Sequence, residues 1–190
     1  MSSIKYFETI KCEDYEVVDL HYHEKRVANT IGLNINLNEY IYPPSEDLFR
    51  CKLIYNEEGI LNIDFFSYKK RDIKTFKIVS CNNIEYNKKY LNRDSITRLF
   101  ENKENCDEII IVKNGLITDT SIANIALYYE NRWLTPKKPL LKGTTRQKYL
   151  DSKQIQEYDL TLDILYKSEK IALMNAMIGF DVLDNYSFFS

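Results

Sequence analysis

The chain repeatedly sets two short β-branched or aromatic runs on either side of a tight turn. Over much of its length that pattern limits it to antiparallel hairpins. Glu108–Val112 and Leu116–Thr118 flank Asn114-Gly115, the dipeptide that two-residue hairpin turns favour because both central residues need positive φ. Leu48–Tyr55 and Ile60–Tyr68 flank Asn56-Glu57-Glu58-Gly59 in the same way, and Lys5–Lys11 is expected to pair with Tyr15–Leu20 across Glu13-Asp14. Further strands are expected at Ile73–Ser80, Ile122–Tyr129, Arg132–Leu134 (ended by Pro136 and Pro139), Ile155–Leu160, Ile171–Met174 and Gly179–Leu183. Helical character falls on His23–Ile31, which stops at Gly32, on Arg93–Phe100, on Thr144–Asp151 behind Gly143, and briefly on Leu162–Lys167. With five glycines and four prolines in 190 residues there is no long flexible linker. The reading is an α+β chain of two lobes, a small α/β N-terminal lobe over 1–84 and a larger, β-rich C-terminal lobe with helices over 85–190.

Charge narrows the function classes. Against 28 acidic residues stand 26 Lys and Arg, a net −2 that gives no electrostatic footprint for nucleic acid. Four cysteines without a C-x-x-C and only two histidines, His21 and His23, argue against a metal cluster. The first residues, Met1–Tyr6, carry no apolar signal region, and no run approaches eighteen apolar residues. These features set the expectation of a cytoplasmic protein with reduced thiols and no membrane partner. G-x-S-x-G, the Walker lysine loop and G-x-G-x-x-G are all missing.

Chemistry must then rest on lysine, carboxylates, arginines and backbone donors. Gly143-Thr144-Thr145-Arg146 opens a helix, so its free N–H groups, two hydroxyls and the positive end of the helix dipole could receive an anion; a plain helix cap is the alternative. Lys88-Lys89 stands just ahead of the second helix, either as a solvated pair or as a desolvated amine able to form a Schiff base. Asp119, in Thr118-Asp119-Thr120-Ser121-Ile122-Ala123-Asn124, could be a turn residue. His23-Glu24-Lys25-Arg26 lies at a helix start, where a solvated face is the default. Arg50, inside Leu48-Phe49-Arg50-Cys51-Lys52-Leu53, faces either solvent or an anionic substrate.

The order of these segments resembles the class IV pyridoxal-phosphate enzymes, the branched-chain and D-amino-acid aminotransferases and aminodeoxychorismate lyase. The resemblance runs through Phe7-Glu8-Thr9-Ile10, His23 to Arg26, Lys89-Tyr90-Leu91-Asn92-Arg93, Thr118 to Asn124, Thr135-Pro136, Leu141 to Arg146 and Asn175-Ala176-Met177. It implies pyridoxal 5′-phosphate held by Lys89, which would also shuttle the proton. It implies Asp119 facing the ring nitrogen, and a phosphate site of Arg26, Thr144, Thr145 and the backbone at Asn175-Ala176. Arg50 would take a substrate carboxylate; Arg93 is a second substrate candidate, and Arg146 is less defined. Lys-x-Leu-Asn-Arg and Asn-Ala-Met look more like the lyase branch. The implied function is therefore release of pyruvate to give 4-aminobenzoate, with an amino-acid aminotransferase or a non-catalytic relic as alternatives. A small amino-acid-like substrate and a homodimer are implied by the same resemblance. Two departures stand out: Asp119 occupies the position of a Glu, and the chain starts almost at Phe-Glu-Thr, without the strand and Gly-Asp-Gly turn that precede it in relatives. A thinner small lobe is the expectation from the second.

Overall fold

A computed structural model describes residues 3–190; Met1 and Ser2, part of the N-terminal stretch discussed above, lie outside the described residues. The chain divides into two compact units, one formed by the chain up to Lys70 with Lys88–Asn92, the other by Arg71–Asn87 with Arg93–Ser190.

The first unit is built on β1 (Tyr6–Glu13), β2 (Glu16–Val17), β3 (Phe49–Asn56) and β4 (Gly59–Ser67), an antiparallel sheet in the order β2-β1-β3-β4. Alternation on β1 sends Tyr6, Ile10 and Cys12 to one face, where they pack with Val27 of helix α1 (Leu20–Ile31) and with Cys51, Leu53 and Tyr55 of β3. The expected strand over 15–20 shortens to two residues. Asp14 and Tyr15, both at positive φ, make the hairpin turn, and Asp19, also left-handed, redirects the chain so that helix begins at Leu20. The helix stops at Gly32 (φ 78°), as the sequence indicates. Lys88–Asn92 completes the sheet. Phe7 donates its N–H to Lys89 O (3.0 Å), Leu91 donates to Lys5 O (2.8 Å), and Tyr6 bridges Tyr90 antiparallel. This segment thereby covers the Lys5–Phe7 end of the β1 edge, away from β2.

The second unit contains β5 (Thr75–Ser80), α2 (Asp94–Glu101), β6 (Glu108–Lys113), β7 (Leu116–Thr120), β8 (Asn124–Tyr129), β9 (Arg132–Pro136), α3 (Thr144–Asp151), β10 (Gln156–Tyr158), α4 (Leu162–Lys167), β11 (Lys170–Asn175), β12 (Gly179–Val182) and β13 (Ser187–Phe189). Its described strands follow the order β10-β9-β8-β7-β6-β5-β13, with β11 paired to β8 and β12. β8 and β11 are apolar at successive positions because both faces are covered. Ile125, Leu127, Ile171 and Leu173 pack with Leu165 of α4, whereas Ala126, Ala172 and Met174 pack with Tyr149 and Leu150 of α3. The parallel pair β5/β6 joins Thr75–Ser80 to this unit, which also takes in the rest of Arg71–Asn87.

Candidate active site

In the first unit a carboxylate occupies a core position. Glu8 follows the phase of Tyr6 and Ile10 and is fully buried on β1. Burying a charge there is costly unless it is paired and hydrogen-bonded. Glu8 is both. Arg26 donates from Nε to Oε1 (2.8 Å) and from Nη2 to Oε2, His23 Nδ1 donates to Oε2 (2.6 Å), and the Tyr55 hydroxyl stands 3.5 Å from Oε1. Burial pushes the Glu8 carboxyl up, but the Arg26 charge and the hydrogen bonds from His23 and Arg26 outweigh it and hold the pKa at about 2. The His23 pKa is lowered too, and for this base that means a neutral ring. Its burial favours the neutral ring more than Glu8 favours the charged one, and the Arg26 and Lys89 charges add to burial. His23 and Arg26 are three apart on α1, so one helix face supplies both donors.

The two adjacent lysines are distinguished by their surroundings. The Lys88 amine donates to the Thr30 carbonyl at 2.8 Å. Lys89 lies opposite Phe7, its amine 4.6 Å from the Phe7 ring centroid. The register carries Phe7, Thr9 and Lys11 opposite Ile54, Lys52 and Arg50, so Lys89 and Arg50 share the sheet face turned away from the core. Arg50 is half-buried, its guanidinium 4.9 Å from the Phe66 ring centroid.

In the second unit Asp119 and Asn124 face each other as β7 passes into β8. Asp119 is 5% exposed. Its Oδ1 accepts from Asn124 Nδ2 (2.5 Å) and its Oδ2 from the Leu141 N–H (3.0 Å). Asn124 Nδ2 also reaches Leu141 O at 2.8 Å, and Asn124 Oδ1 accepts the Gly143 N–H at 3.1 Å. Burial raises the Asp119 carboxyl to about 7 against these donors and the charge of Arg146. Gly143 is obligatory in this corner, since a Cβ there would sit 2.0 Å from Asn124 Oδ1.

Gly143 leads into α3, whose first residues Thr144 and Thr145 are buried and whose N-cap has no side-chain hydrogen bond. A buried helix start without a cap keeps orphan N–H donors available to an anion. Arg146, 1% exposed, turns from this opening to Pro136 O (2.8 Å) and Glu157 Oε1 (2.6 Å). Asn175 ends β11; its Oδ1 accepts the N–H groups of Met177 (2.9 Å) and Ile178 (3.1 Å), while its Nδ2 donates to Ile122 O (3.3 Å). Ala176 is half-buried in that turn. The Arg93 guanidinium donates from Nη2 to the Ser121 carbonyl.

The second unit therefore brings Asp119, Thr144 and Thr145 into one hydrogen-bonded corner through Asn124 and Gly143, and Asn175 joins through Ile122. The first unit brings Lys89 and Arg50 to one face and fixes Arg26 from behind. Sequence reasoning assigned no role to Glu8, Asn124 or Glu108. Glu8 carried a readable signal, a charge in the apolar phase of a strand.

Comparison with known proteins identifies the architecture. The family model of class IV amino-transferases matches residues 80–181. An uncharacterized protein of Haemophilus influenzae is 35% identical over 184 residues, covering 91% of this chain and 97% of its own. The crystal structure of a "putative 4-amino-4-deoxychorismate lyase" from Haemophilus somnus superposes with a TM-score of 0.86 at 34% identity, over 94% of this chain and 99% of that one. A hypothetical aminotransferase from Mycobacterium tuberculosis, in a PLP-bound form, shares the fold at a TM-score of 0.76 and 16% identity, over 97% of this chain and 81% of that one. The chain belongs to the class IV amino-transferase family.

Proposed function

We propose that this protein is a pyridoxal 5′-phosphate enzyme acting on the amino group of a small amino-acid-like substrate, in the manner of a 4-amino-4-deoxychorismate lyase. The observation that carries the reading is Asp119: a buried carboxyl, raised to about 7, with no ion-pair partner among the described residues. Such a group suits the protonated ring nitrogen of a pyridoxal cofactor, which would supply the positive charge that burial withholds. The uncapped start of α3 suits the phosphate. When bound, the cofactor supplies an electron sink for charge developing on the carbon next to the substrate nitrogen.

Each residue then has a defined task. Lys89 would hold the cofactor through its amine and would carry the proton to and from the carbon next to the substrate nitrogen. Asp119 keeps a proton on the ring nitrogen. The N–H groups and hydroxyls of Thr144 and Thr145, with the backbone at Asn175-Ala176, receive the phosphate, and Arg26 adds charge. Arg50 takes a substrate carboxylate. The lyase reading draws on the Haemophilus somnus relative, on a "putative aminodeoxychorismate lyase" of Schizosaccharomyces pombe that is 33% identical over 75 residues, and on Lys89-x-Leu91-Asn92-Arg93.

The test begins with the absorbance spectrum of the purified protein with pyridoxal phosphate, then borohydride reduction and peptide mapping. The expected adduct is on Lys89, lost in Lys89→Ala and kept in Lys88→Ala. An adduct confined to Lys88 moves the register by one, and no band at saturating cofactor ends the enzyme reading. Pyruvate release from 4-amino-4-deoxychorismate without a keto acid supports the lyase. Turnover that requires a keto acid makes the protein a transaminase.

A further inference from the structure

Thr120, the last residue of β7, and the turn Ser121–Ala123 into β8 stand between Asp119 and Asn124. Most of this stretch closes on itself. Thr120 Oγ1 accepts the N–H groups of Ile122 (3.3 Å) and Ala123 (3.0 Å), and the Thr120 N–H and hydroxyl donate to Ala123 O at 2.9 and 3.1 Å. Ser121 is held from outside. Its N–H donates to Glu108 Oε1 at 3.1 Å, and its carbonyl accepts from Arg93 Nη2. Glu108 is fully buried at the start of β6; its Oε1 also takes the Ile109 N–H (2.9 Å), and its Oε2 takes Arg71 Nη1 (3.3 Å). One residue of backbone is thus gripped at both polar ends by side chains of opposite charge, from 28 residues upstream for Arg93 and 13 for Glu108.

We propose that Arg93 is a positioning residue rather than a substrate ligand. With Glu108 it clamps Ser121, and through that clamp it sets where the Asp119 carboxyl stands against the cofactor ring. The proposal rests on the reading of Asp119 given above. A carboxyl one methylene shorter than glutamate has less reach of its own, so its placement depends on the backbone that carries it. Charge-assisted hydrogen bonds to both ends of Ser121 are the stronger kind, and they keep the loop from breathing.

The test compares wild type with Arg93→Ala, Arg93→Lys and Glu108→Gln. In the cofactor-free protein, amide exchange at Ser121 and Ile122 is expected to quicken at least about tenfold in Arg93→Ala, the loss of one charge-assisted hydrogen bond, with β11 unchanged. Arg93→Lys should restore part of that protection, and Glu108→Gln should weaken it in the same direction. In the loaded protein the dissociation constant for pyridoxal phosphate should rise by a similar factor, and the pH of the cofactor's absorbance transition should move. Unchanged loop exchange and cofactor affinity in both Arg93→Ala and Glu108→Gln overturn the proposal. Should Arg93→Ala fail to fold, Glu108→Gln alone decides it by the same readouts. Failure of wild type to bind pyridoxal phosphate would refute the functional reading, while the exchange measurement would still decide whether the clamp exists.

Discussion

Glu8 and Asp119 are both buried carboxyls, and they shift in opposite directions because only the charged partners of Glu8 outweigh burial. Glu8 meets a guanidinium and an imidazole N–H, and its pKa falls to about 2. Asp119 meets only neutral donors at hydrogen-bonding distance, and its pKa rises to about 7. Linkage gives the consequences opposite signs. The stability from Glu8 is present above its unfolded pKa near 4.5 and is lost as pH falls from there toward 2. Asp119 binds its proton more tightly folded than unfolded, so its contribution is present below about pH 4 and is lost as pH rises from about 4 to 7. Denaturant titration of the cofactor-free protein should therefore show stability falling by a few kcal/mol from Asp119 between about pH 4 and 7, a slope absent in Asp119→Asn. Glu8→Gln should instead cost about 3–5 kcal/mol at neutral pH, because Arg26 loses its buried counter-charge, and should flatten the acid limb. Sequence made these two residues visible to different degrees. Both stand in segments that carry the family resemblance, but Glu8 received no role there, and only the strand's alternation shows that its side chain points into the core.

Among the elements, local patterns served well where the partner is near in sequence. The Asn114-Gly115 hairpin, the stop of α1 at Gly32 and α3 behind Gly143 all form as their residues dictate. β13 was not legible, because three residues pairing parallel with β5 leave no hairpin signature. Pro136 was expected to break β9 and instead ends it within the strand. There it lies opposite Tyr158 of the edge strand β10, and the hydrogen bond that closes this parallel pair comes from the next residue, Lys137 N–H to Tyr158 O at 2.9 Å. The junction before α3 depends on a missing side chain. A methyl group in Gly143→Ala would displace the Asn124 amide from Asp119, Leu141 and residue 143 together, since it would stand 2.0 Å from Oδ1. The expected cost is about 2–3 kcal/mol in denaturant unfolding, with weaker binding of inorganic phosphate. Equal stability and equal phosphate affinity would show that Asn124 can move without consequence.

Over the whole molecule, the sequence sets the expectation of lobes over 1–84 and 85–190, while the chain clusters into units that exchange two short segments. Hairpin reasoning counts neighbours in sequence, so it could not see that β5 pairs parallel with β6 or that Lys88–Asn92 returns to β1. The chain passes from one unit to the other after Lys70, after Asn87 and after Asn92. The piece of chain bearing Lys89 is thus flanked on both sides by residues of the other unit. Among the described residues no helix is long and apolar enough to cross a membrane, and the four cysteines are free thiols.

That return has a consequence for the first seventy residues taken alone. In the terms of strand donation, Lys88–Asn92 is the donor and the Lys5–Phe7 stretch of β1 the acceptor. A fragment that stops at Lys70 keeps an open edge with the Phe7 N–H and the Lys5 carbonyl unmet. It is expected to self-associate through that edge, and a peptide spanning residues 86–93 should return it to a monomer in sedimentation, the lysine peptide acting as a template-matched strand. A fragment that stays monomeric without the peptide would mean that the β1 edge closes by itself. The residue proposed for the chemistry would then be a passenger on the fold rather than one of its seams.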